Sequence, residues 1–151
     1  MGTTETKGSL AIAEKMAGVE PGTPRYDTLE VARNFKELLK KANPSGQARY
    51  KPTLVGHNIK FDIGFLIQLL LLIGENLFDY IDENPICTLK LSQQKWNADE
   101  TVSSFSLVSC AKKAELEQVQ NHDAMEDVFQ TADLFKFHTR LLRAEGIIQS
   151  T

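Results

Sequence analysis

Residues 52–62 have the sequence PTLVGHNIKFD, in which an apolar run meets a group of polar residues. The apolar run ends at Gly56 and predicts a short buried strand over residues 52–56. Residues 61–73 then have apolar side chains on nearly every side, which at this length is typical of a helix buried between other elements. Gly74 is expected to end that helix. The stretch therefore predicts a strand that leads directly into a buried helix.

The flanking sequence predicts further helices and a second strand. Asp27 has the character of an N-cap with Glu30 three residues later, and it predicts a helix from about Thr28 to Lys41. Residues 86–89 predict the second strand, which continues into a short helix that reaches Trp96, followed by a polar loop over 97–102.

Two more helices are predicted towards the end of the chain. Ser104 can cap one that continues to Leu116, and a long helix is expected from about Asp123 to Arg143. The side chains that this last helix is expected to bury are Ala124, Val128, Phe129, Ala132, Phe135 and Leu142.

Composition sets broad limits on the class of protein. The chain has 151 residues, 42% hydrophobic and 25% charged, which predicts one domain over residues 1–151. A net charge of -3 gives no general attraction to nucleic acid or to an anionic membrane, so a phosphate-bearing substrate would have to be held locally.

The longest apolar stretch, 63–73, is too short to span a membrane. Cys87 and Cys110 show no CxxC spacing, which predicts reduced thiols in a cytoplasmic protein.

Two clusters of polar residues could carry out chemistry. His57, Asn58, Phe61 and Asp62 form the pattern H-N-x-x-F-D at the predicted strand-to-helix junction, where polar groups are presented at the edge of an α/β sheet. An isolated Asp62 is also explained by the favourable effect of a carboxylate in the first turn of a helix. The first cluster alone therefore leaves both interpretations open.

The second cluster is His122, Ala124 and Asp127, in the pattern H-x-A-x-x-D at the start of the last helix. An imidazole can take a proton from water, and a carboxylate can bind a hard divalent cation. The alternative for this cluster is the polar start of an amphipathic helix.

Taken together, the two clusters resemble the second and third motifs of the DEDDh family of 3′-to-5′ exonucleases. Cys87, Thr88 and Leu89 are also similar to a strand of that family, and residues 105–108 to a helix start. The resemblance extends from about residue 27 to 138. It implies an α/β, ribonuclease H-like fold and hydrolysis of phosphodiester bonds at the 3′ end of single-stranded DNA or RNA.

The resemblance also implies a set of residue roles. Two Mg²⁺ or Mn²⁺ ions would flank the scissile phosphate, with Asp62 and Asp127 as metal ligands and His122 as the general base. Asn58 and Phe61 would contact the nucleotide or shape the pocket. His57 could instead be a hydrogen-bonded structural residue, and His138 matches no motif and is expected to be structural.

The first motif of the family, D-x-E-T, is not securely present. Thr3, Glu5 and Gly8 resemble its end, with Thr3 in place of the Asp, but too few residues separate Gly8 from His57 to hold the hairpin that the family places there. We therefore expect an N-terminally truncated fold with an incomplete central sheet and little activity by the chain alone. Self-association or completion by a missing N-terminal segment would follow from the exposed strand edge.

Three functional hypotheses follow from the sequence. The first is a metal-dependent exonuclease domain, incomplete as an isolated chain. The second is a non-catalytic module of the same fold that binds nucleic acid or a partner. The third is a structural fragment. Asp27 and Glu30 cannot supply the absent carboxylates, because their spacing is typical of a helix cap.

Overall fold

A computed structural model describes residues 27–149, which form five α-helices and two short strands. In chain order they are α1 (Thr28–Ala42), β1 (Val55–Gly56), α2 (Ile59–Leu71), β2 (Ile86–Cys87), α3 (Thr88–Trp96), α4 (Leu107–Lys113) and α5 (Ala124–Ala144). Two 3₁₀ turns are present at Ala48–Tyr50 and Leu77–Asp79. The strands pair in parallel, with Val55 opposite Ile86 and Gly56 opposite Cys87. These residues divide into two compact units, the first of 27–53 with 61–84 and the second of 54–60 with 85–149.

In the first unit, α1 begins where the sequence predicts. The carboxylate of Asp27 accepts a hydrogen bond from the Leu29 backbone N–H at 3.1 Å, so it satisfies a donor that the helix itself leaves unpaired. Glu75 holds the middle of this helix, because its carboxylate binds Lys36 Nζ at 2.6 Å and the hydroxyl of Tyr80 at 2.8 Å. These hydrogen bonds lower the pKa of Glu75, and the bond to Glu75 raises the pKa of Lys36.

The glycine stop predicted after α2 is also present, although the helix itself ends at Leu71, two residues before the predicted end. Gly74 has a φ of +70°, its N–H donates to the Leu71 carbonyl, and the Glu75 N–H donates to the Leu70 carbonyl, each at 3.0 Å. This is the Schellman arrangement, which favours glycine because a left-handed residue is needed there. The helix begins at Ile59, two residues before the predicted start. Leu66, Leu69 and Leu70 are its buried leucines.

In the second unit, α3, α4 and α5 pack around Trp96. The buried members of this cluster are Trp96, Cys110, Ala114 and Leu134. The Trp96 ring lies 5.9 Å from that of Phe137 and 5.3 Å from that of His138, measured between centroids. A core of packed helices of this kind is stabilised mainly by the burial of apolar side chains.

Two local predictions in the second unit are wrong. Thr88 and Leu89 belong to α3 and not to the predicted strand, because Thr88 and Ser92 lie one turn apart on a helical face that is fully buried. The cap of α4 is Ser106 and not Ser104: the Ser106 hydroxyl accepts from the Ser109 N–H, and the Ser104 hydroxyl only accepts from the Ser106 N–H. A serine-rich loop offers several local caps, and the packing of α4 selects one.

The predicted buried face of α5 is also wrong in part. Val128 and Phe129 are 58% and 61% exposed, whereas the buried residues are Gln130, Leu134 and His138. The buried residues repeat every four positions, so the helix is turned to place His138 against Ser92 of α3, at 2.9 Å, and the side-chain amide of Gln130 against the Glu117 carbonyl, to which it donates at 2.8 Å. The bounds of α5 agree with the prediction to within one residue. No helix among residues 27–149 is long and apolar enough to cross a membrane.

Candidate functional site

His57, at the exit of β1, has both ring nitrogens engaged. Nδ1 lies 2.8 Å from the Thr88 hydroxyl and Nε2 lies 2.7 Å from the Phe105 carbonyl oxygen. Because a carbonyl only accepts, Nε2 carries the proton and Nδ1 accepts from Thr88. Burial lowers the pKa of His57, although the bond to the Phe105 carbonyl opposes this effect. His57 therefore connects β1 to α3 and to the loop before α4 by hydrogen bonds. This is the structural role that the sequence leaves open for it.

Asn58 and Phe61 follow on the surface of the junction. Asn58 has a φ of +67°, a left-handed conformation that asparagine tolerates better than most residues. Phe61 is 50% exposed at the start of α2. Exposure is what contact with a nucleotide requires, and the roles of both residues stay predictions.

Asp62 lies in the first turn of α2 and is half-buried. Burial raises the pKa of its carboxyl group. Within residues 27–149 no side chain or backbone group forms a hydrogen bond or ion pair with this carboxylate. A desolvated acid without a compensating partner lowers stability, and such groups concentrate at functional sites.

Replacing Asp62 with asparagine is expected to raise the free energy of unfolding by a few tenths to about 1 kcal/mol, because it removes a charge that burial disfavours. Thermal unfolding at neutral pH measures the change. Asp133→Asn, an exposed carboxylate on α5, is the control and is expected to leave the melting temperature unchanged. A lower melting temperature for Asp62→Asn would show that the carboxylate stabilises the fold.

His122 lies in the turn before α5, as the sequence predicts, and its side chain is exposed. Its φ of +53° places the backbone in the left-handed region. The turn is organised by Glu126, whose Oε2 accepts from the backbone N–H of both Asn121 and His122 at 2.9 Å. Asp123 completes the arrangement, because its carboxylate accepts from the Glu126 N–H at 2.8 Å. Glu126 therefore fixes the backbone that carries His122.

Glu126 was not among the sequence candidates, although a signal for it exists. Asp123 and Glu126 have the D-x-x-E spacing of a capping box, in which a cap and a residue three positions later exchange hydrogen bonds with the backbone. Here the Glu126 carboxylate instead accepts from the backbone N–H groups of the two residues that precede the cap, Asn121 and His122. Asp27 and Glu30 have the same spacing, which there predicts a helix cap.

Asp127 is half-buried in the first turn of α5. Its backbone N–H donates to the Asp123 carbonyl at 3.0 Å, and its carbonyl accepts from the Thr131 hydroxyl at 2.7 Å. His122, Glu126 and Asp127 therefore share one turn of the second unit, and Asp62 belongs to the first unit. The convergence of Asp62 and Asp127 on one site stays a prediction.

The described residues include carboxylates of the kind that bind a divalent metal ion, but too few of them lie together to form a complete site. Carboxylate oxygens are the ligands that Mg²⁺ and Mn²⁺ prefer. Among residues 27–149, however, no group of three or more His, Cys, Asp or Glu side chains is close enough to hold an ion. Thr3, Glu5 and Gly8 lie outside the described residues. The described part of the chain does not by itself form the complete ligand set that two ions need.

Comparison with known families identifies the kind of protein. A family model described as Exonuclease matches residues 23–135, three quarters of the chain. The chain belongs to this exonuclease family. The match includes Asp62, His122 and Asp127, and it supports a nuclease with the α/β fold of the ribonuclease H-like superfamily. The described residues of this exonuclease chain are rich in helix, with one small parallel sheet. No significant match was found among curated proteins or among solved structures.

The two cysteines are free thiols in this exonuclease chain. Burial alone would raise the pKa of Cys87, but backbone N–H groups of Lys90, Ile59, Asn58 and Leu89 outweigh that effect and lower it. Cys110 is buried, which raises its pKa, and its Sγ lies 3.4 Å from the Phe105 carbonyl.

Proposed function

We propose that this chain is a DEDDh-type exonuclease domain that removes nucleotides from the 3′ end of single-stranded DNA or RNA with two Mg²⁺ or Mn²⁺ ions. The family match over both motif clusters carries the proposal. Two features of the described residues support it. Asp62 is a half-buried carboxylate without a partner among residues 27–149, and His122 is an exposed imidazole on a turn held by Glu126.

The proposed roles follow from the chemistry of each side chain. Asp62 and Asp127 are the metal ligands, and the bound ions supply Lewis acidity at the scissile phosphate. His122 takes the proton of the attacking water as general base, for which an exposed imidazole is suited. Glu126 positions the backbone of His122, and Asn58 and Phe61 contact the terminal nucleotide.

Further carboxylates must complete the ligand set, because residues 27–149 contain no group of three. Their source is Glu5 or an acidic D-x-E strand from another segment. We therefore expect the 151-residue chain alone to release nucleotides at or near the rate of the buffer control. The missing ligand leaves too much of the positive charge of two ions uncompensated.

The test combines metal binding with hydrolysis. Mn²⁺ binding is followed by electron paramagnetic resonance, and mononucleotide release from a 3′-labelled strand is followed with Mg²⁺ or Mn²⁺. Asp62→Asn and Asp127→Asn are each expected to weaken Mn²⁺ binding about tenfold or more. Release should be near background for the chain alone and should rise when a D-x-E segment is supplied. That gain should disappear in His122→Ala.

Asp133→Asn is the matched control for Asp127→Asn, since it changes an exposed carboxylate of the same helix. Equal loss of Mn²⁺ binding in both variants would show a non-specific charge effect and contradict the assignment. Rapid nucleotide release by the chain alone would contradict the incomplete ligand set and would bring Glu5 into the site.

A non-catalytic binding module of the same fold is the second candidate. It is favoured by the lack of a three-residue metal cluster among residues 27–149. This candidate predicts that Mn²⁺ binding stays weak and unchanged by Asp62→Asn, and that nucleic acid is bound without hydrolysis even when a D-x-E segment is added.

A further inference from the structure

The charges of this chain are distributed unevenly along the sequence. From Leu38 to Phe61 there is no acidic residue, although the chain as a whole has a net charge of -3. The same stretch contains five basic residues, Lys40, Lys41, Arg49, Lys51 and Lys60. An acidic protein that binds a polyanion needs a local region of this kind, because its overall charge opposes the approach.

Hydrogen bonds fold part of this stretch into an ordered loop after α1. The chain reverses at Gly46, which has a φ of +70° and whose N–H donates to the Asn43 carbonyl at 3.1 Å. The side-chain amide of Asn43 donates to the Gln47 carbonyl at 3.0 Å, and that carbonyl also accepts from the Tyr50 N–H at 3.0 Å. The 3₁₀ turn Ala48–Tyr50 is therefore held next to the C-terminal end of α1.

An exposed aromatic ring lies on this loop with a cation on it. The guanidinium carbon of Arg49 lies 4.7 Å from the centroid of the Tyr50 ring, and Arg49 Nε donates to Gln47 Oε1 at 3.1 Å. Tyr50 is nevertheless 54% exposed. A cation–aromatic pair on the surface combines a phosphate ligand with a ring on which a base can stack.

The basic side chains of this stretch differ in whether other groups of the protein already bind them. Lys51 Nζ donates to the Phe78 carbonyl at 2.9 Å, so its charge has a structural role. Within residues 27–149, Lys40 forms a single long ion pair, with Glu37 at 3.9 Å, between side chains that are 57% and 62% exposed. Such surface pairs contribute little. Lys41 and Arg49 are exposed and form no ion pair with residues 27–149.

We propose that Lys40, Lys41, Arg49 and Tyr50 form a contact surface for single-stranded nucleic acid, called here the α1-loop surface. The three cations bind backbone phosphates and Tyr50 stacks on a base. The choice of nucleic acid as the polyanion rests on the proposed function. Basic residues in the last turn of a helix also favour the helix dipole, which accounts for Lys40 and Lys41 but not for the Arg49–Tyr50 pair.

The experiment measures binding without cleavage. Fluorescence anisotropy of 5′-labelled (dT)₁₅ and (rU)₁₅ is recorded with EDTA present, over a series of salt concentrations. The combined variant Lys40→Ala, Lys41→Ala, Arg49→Ala is expected to bind about tenfold more weakly or worse at low salt. Its slope of log affinity against log salt should be smaller by about 2, since each phosphate contact on a single strand contributes about 0.7.

A charge-matched control removes three exposed lysines of the second unit, in the combined variant Lys90→Ala, Lys112→Ala, Lys136→Ala. It is expected to keep the wild-type slope and to bind within about twofold of wild type. Tyr50→Ala should weaken binding about fivefold or more, and Tyr50→Phe should bind like wild type, because stacking needs the ring and not the hydroxyl. Circular dichroism confirms that each variant is folded.

Equal losses in the two triple variants, or no binding by the wild-type chain at low salt, would overturn the assignment. Binding of poly-glutamate with the same dependence on Tyr50 and on the three cations would identify a general anion surface and would also overturn it. Binding in EDTA needs neither metal nor hydrolysis, so failure of the surface and failure of the proposed function are read out separately, and Asp133→Asn, which lies outside both, should bind both oligonucleotides like wild type. Loss of binding confined to the α1-loop variants supports the surface even if no hydrolysis is ever detected.

Discussion

Replacing Trp96 with alanine is expected to lower the free energy of unfolding of the second unit by about 3–5 kcal/mol. Trp96 is only 7% exposed and is the largest member of the core cluster with Cys110, Ala114 and Leu134. Its removal leaves a cavity that the neighbouring rings of Phe137 and His138 cannot fill without moving. Domains have only about 5–15 kcal/mol of stability in total, so much of the second unit's stability would be lost.

Urea unfolding followed by circular dichroism measures this loss, since Trp96 is the only tryptophan and its fluorescence disappears with the substitution. Gln93→Ala, at an exposed position of α3, is the control and should change the unfolding free energy by less than about 0.5 kcal/mol. Amide hydrogen exchange locates the effect, and the protection of α4 and α5 should fall most. A loss below about 1 kcal/mol would show that the cluster does not form the core of this unit.

Acid is expected to destabilise the second unit well above the pH at which carboxylates titrate. His138 is 2% exposed, with Nε2 2.9 Å from the Ser92 hydroxyl and its ring against Trp96 and Phe137. Burial lowers the pKa of His138 first of all, and the nearby His57 and Lys95 lower it further. Burial also lowers the pKa of His57.

The direction of the pH effect follows from these lowered values. Above the ordinary histidine pKa of about 6.5 both rings are neutral in the folded and the unfolded chain, so this contribution to stability is complete. Below that pH the unfolded chain takes up protons that the folded chain resists. Each such histidine then lowers the free energy of unfolding by about 1.4 kcal/mol per pH unit, until the pH reaches its folded pKa.

Urea unfolding at a series of pH values between 7 and 5 measures the slope. His138→Gln is expected to remove about half of it, whatever its effect on stability at pH 7. His122→Gln is the control, because it removes an exposed histidine of the same unit. A slope that is unchanged in His138→Gln and in the corresponding His57 variant would show that neither ring resists protonation in the fold.

Much of the local structure was predictable because it is encoded in neighbouring residues. The cap at Asp27, the stop at Gly74 and the start of α5 depend on groups within five residues of one another. The same holds for the position of His122, which the H-x-A-x-x-D pattern places just before a helix. Family membership was also predictable, since the match includes both sequence clusters.

The errors occur where the outcome depends on segments distant in sequence. Thr88 was expected in a strand, and it lies in a helix with its hydroxyl against His57, 31 residues away. Val128 and Phe129 were expected in the core, and Gln130 and His138 are there instead. An apolar pattern gives the period of a helix, but the partners α3 and α4 decide how it is rotated.

The sequence by itself determined the presence of the helices, the cap at Asp27, the stop at Gly74 and the motif residues, because hydrogen bonds and spacing within a few residues specify them. Only the tertiary structure decided that both nitrogens of His57 are occupied, that Asp62 is half-buried without a partner among residues 27–149, and that Glu126 holds the turn of His122. Burial and pKa depend on which distant groups exclude water from a side chain, and no local pattern records that.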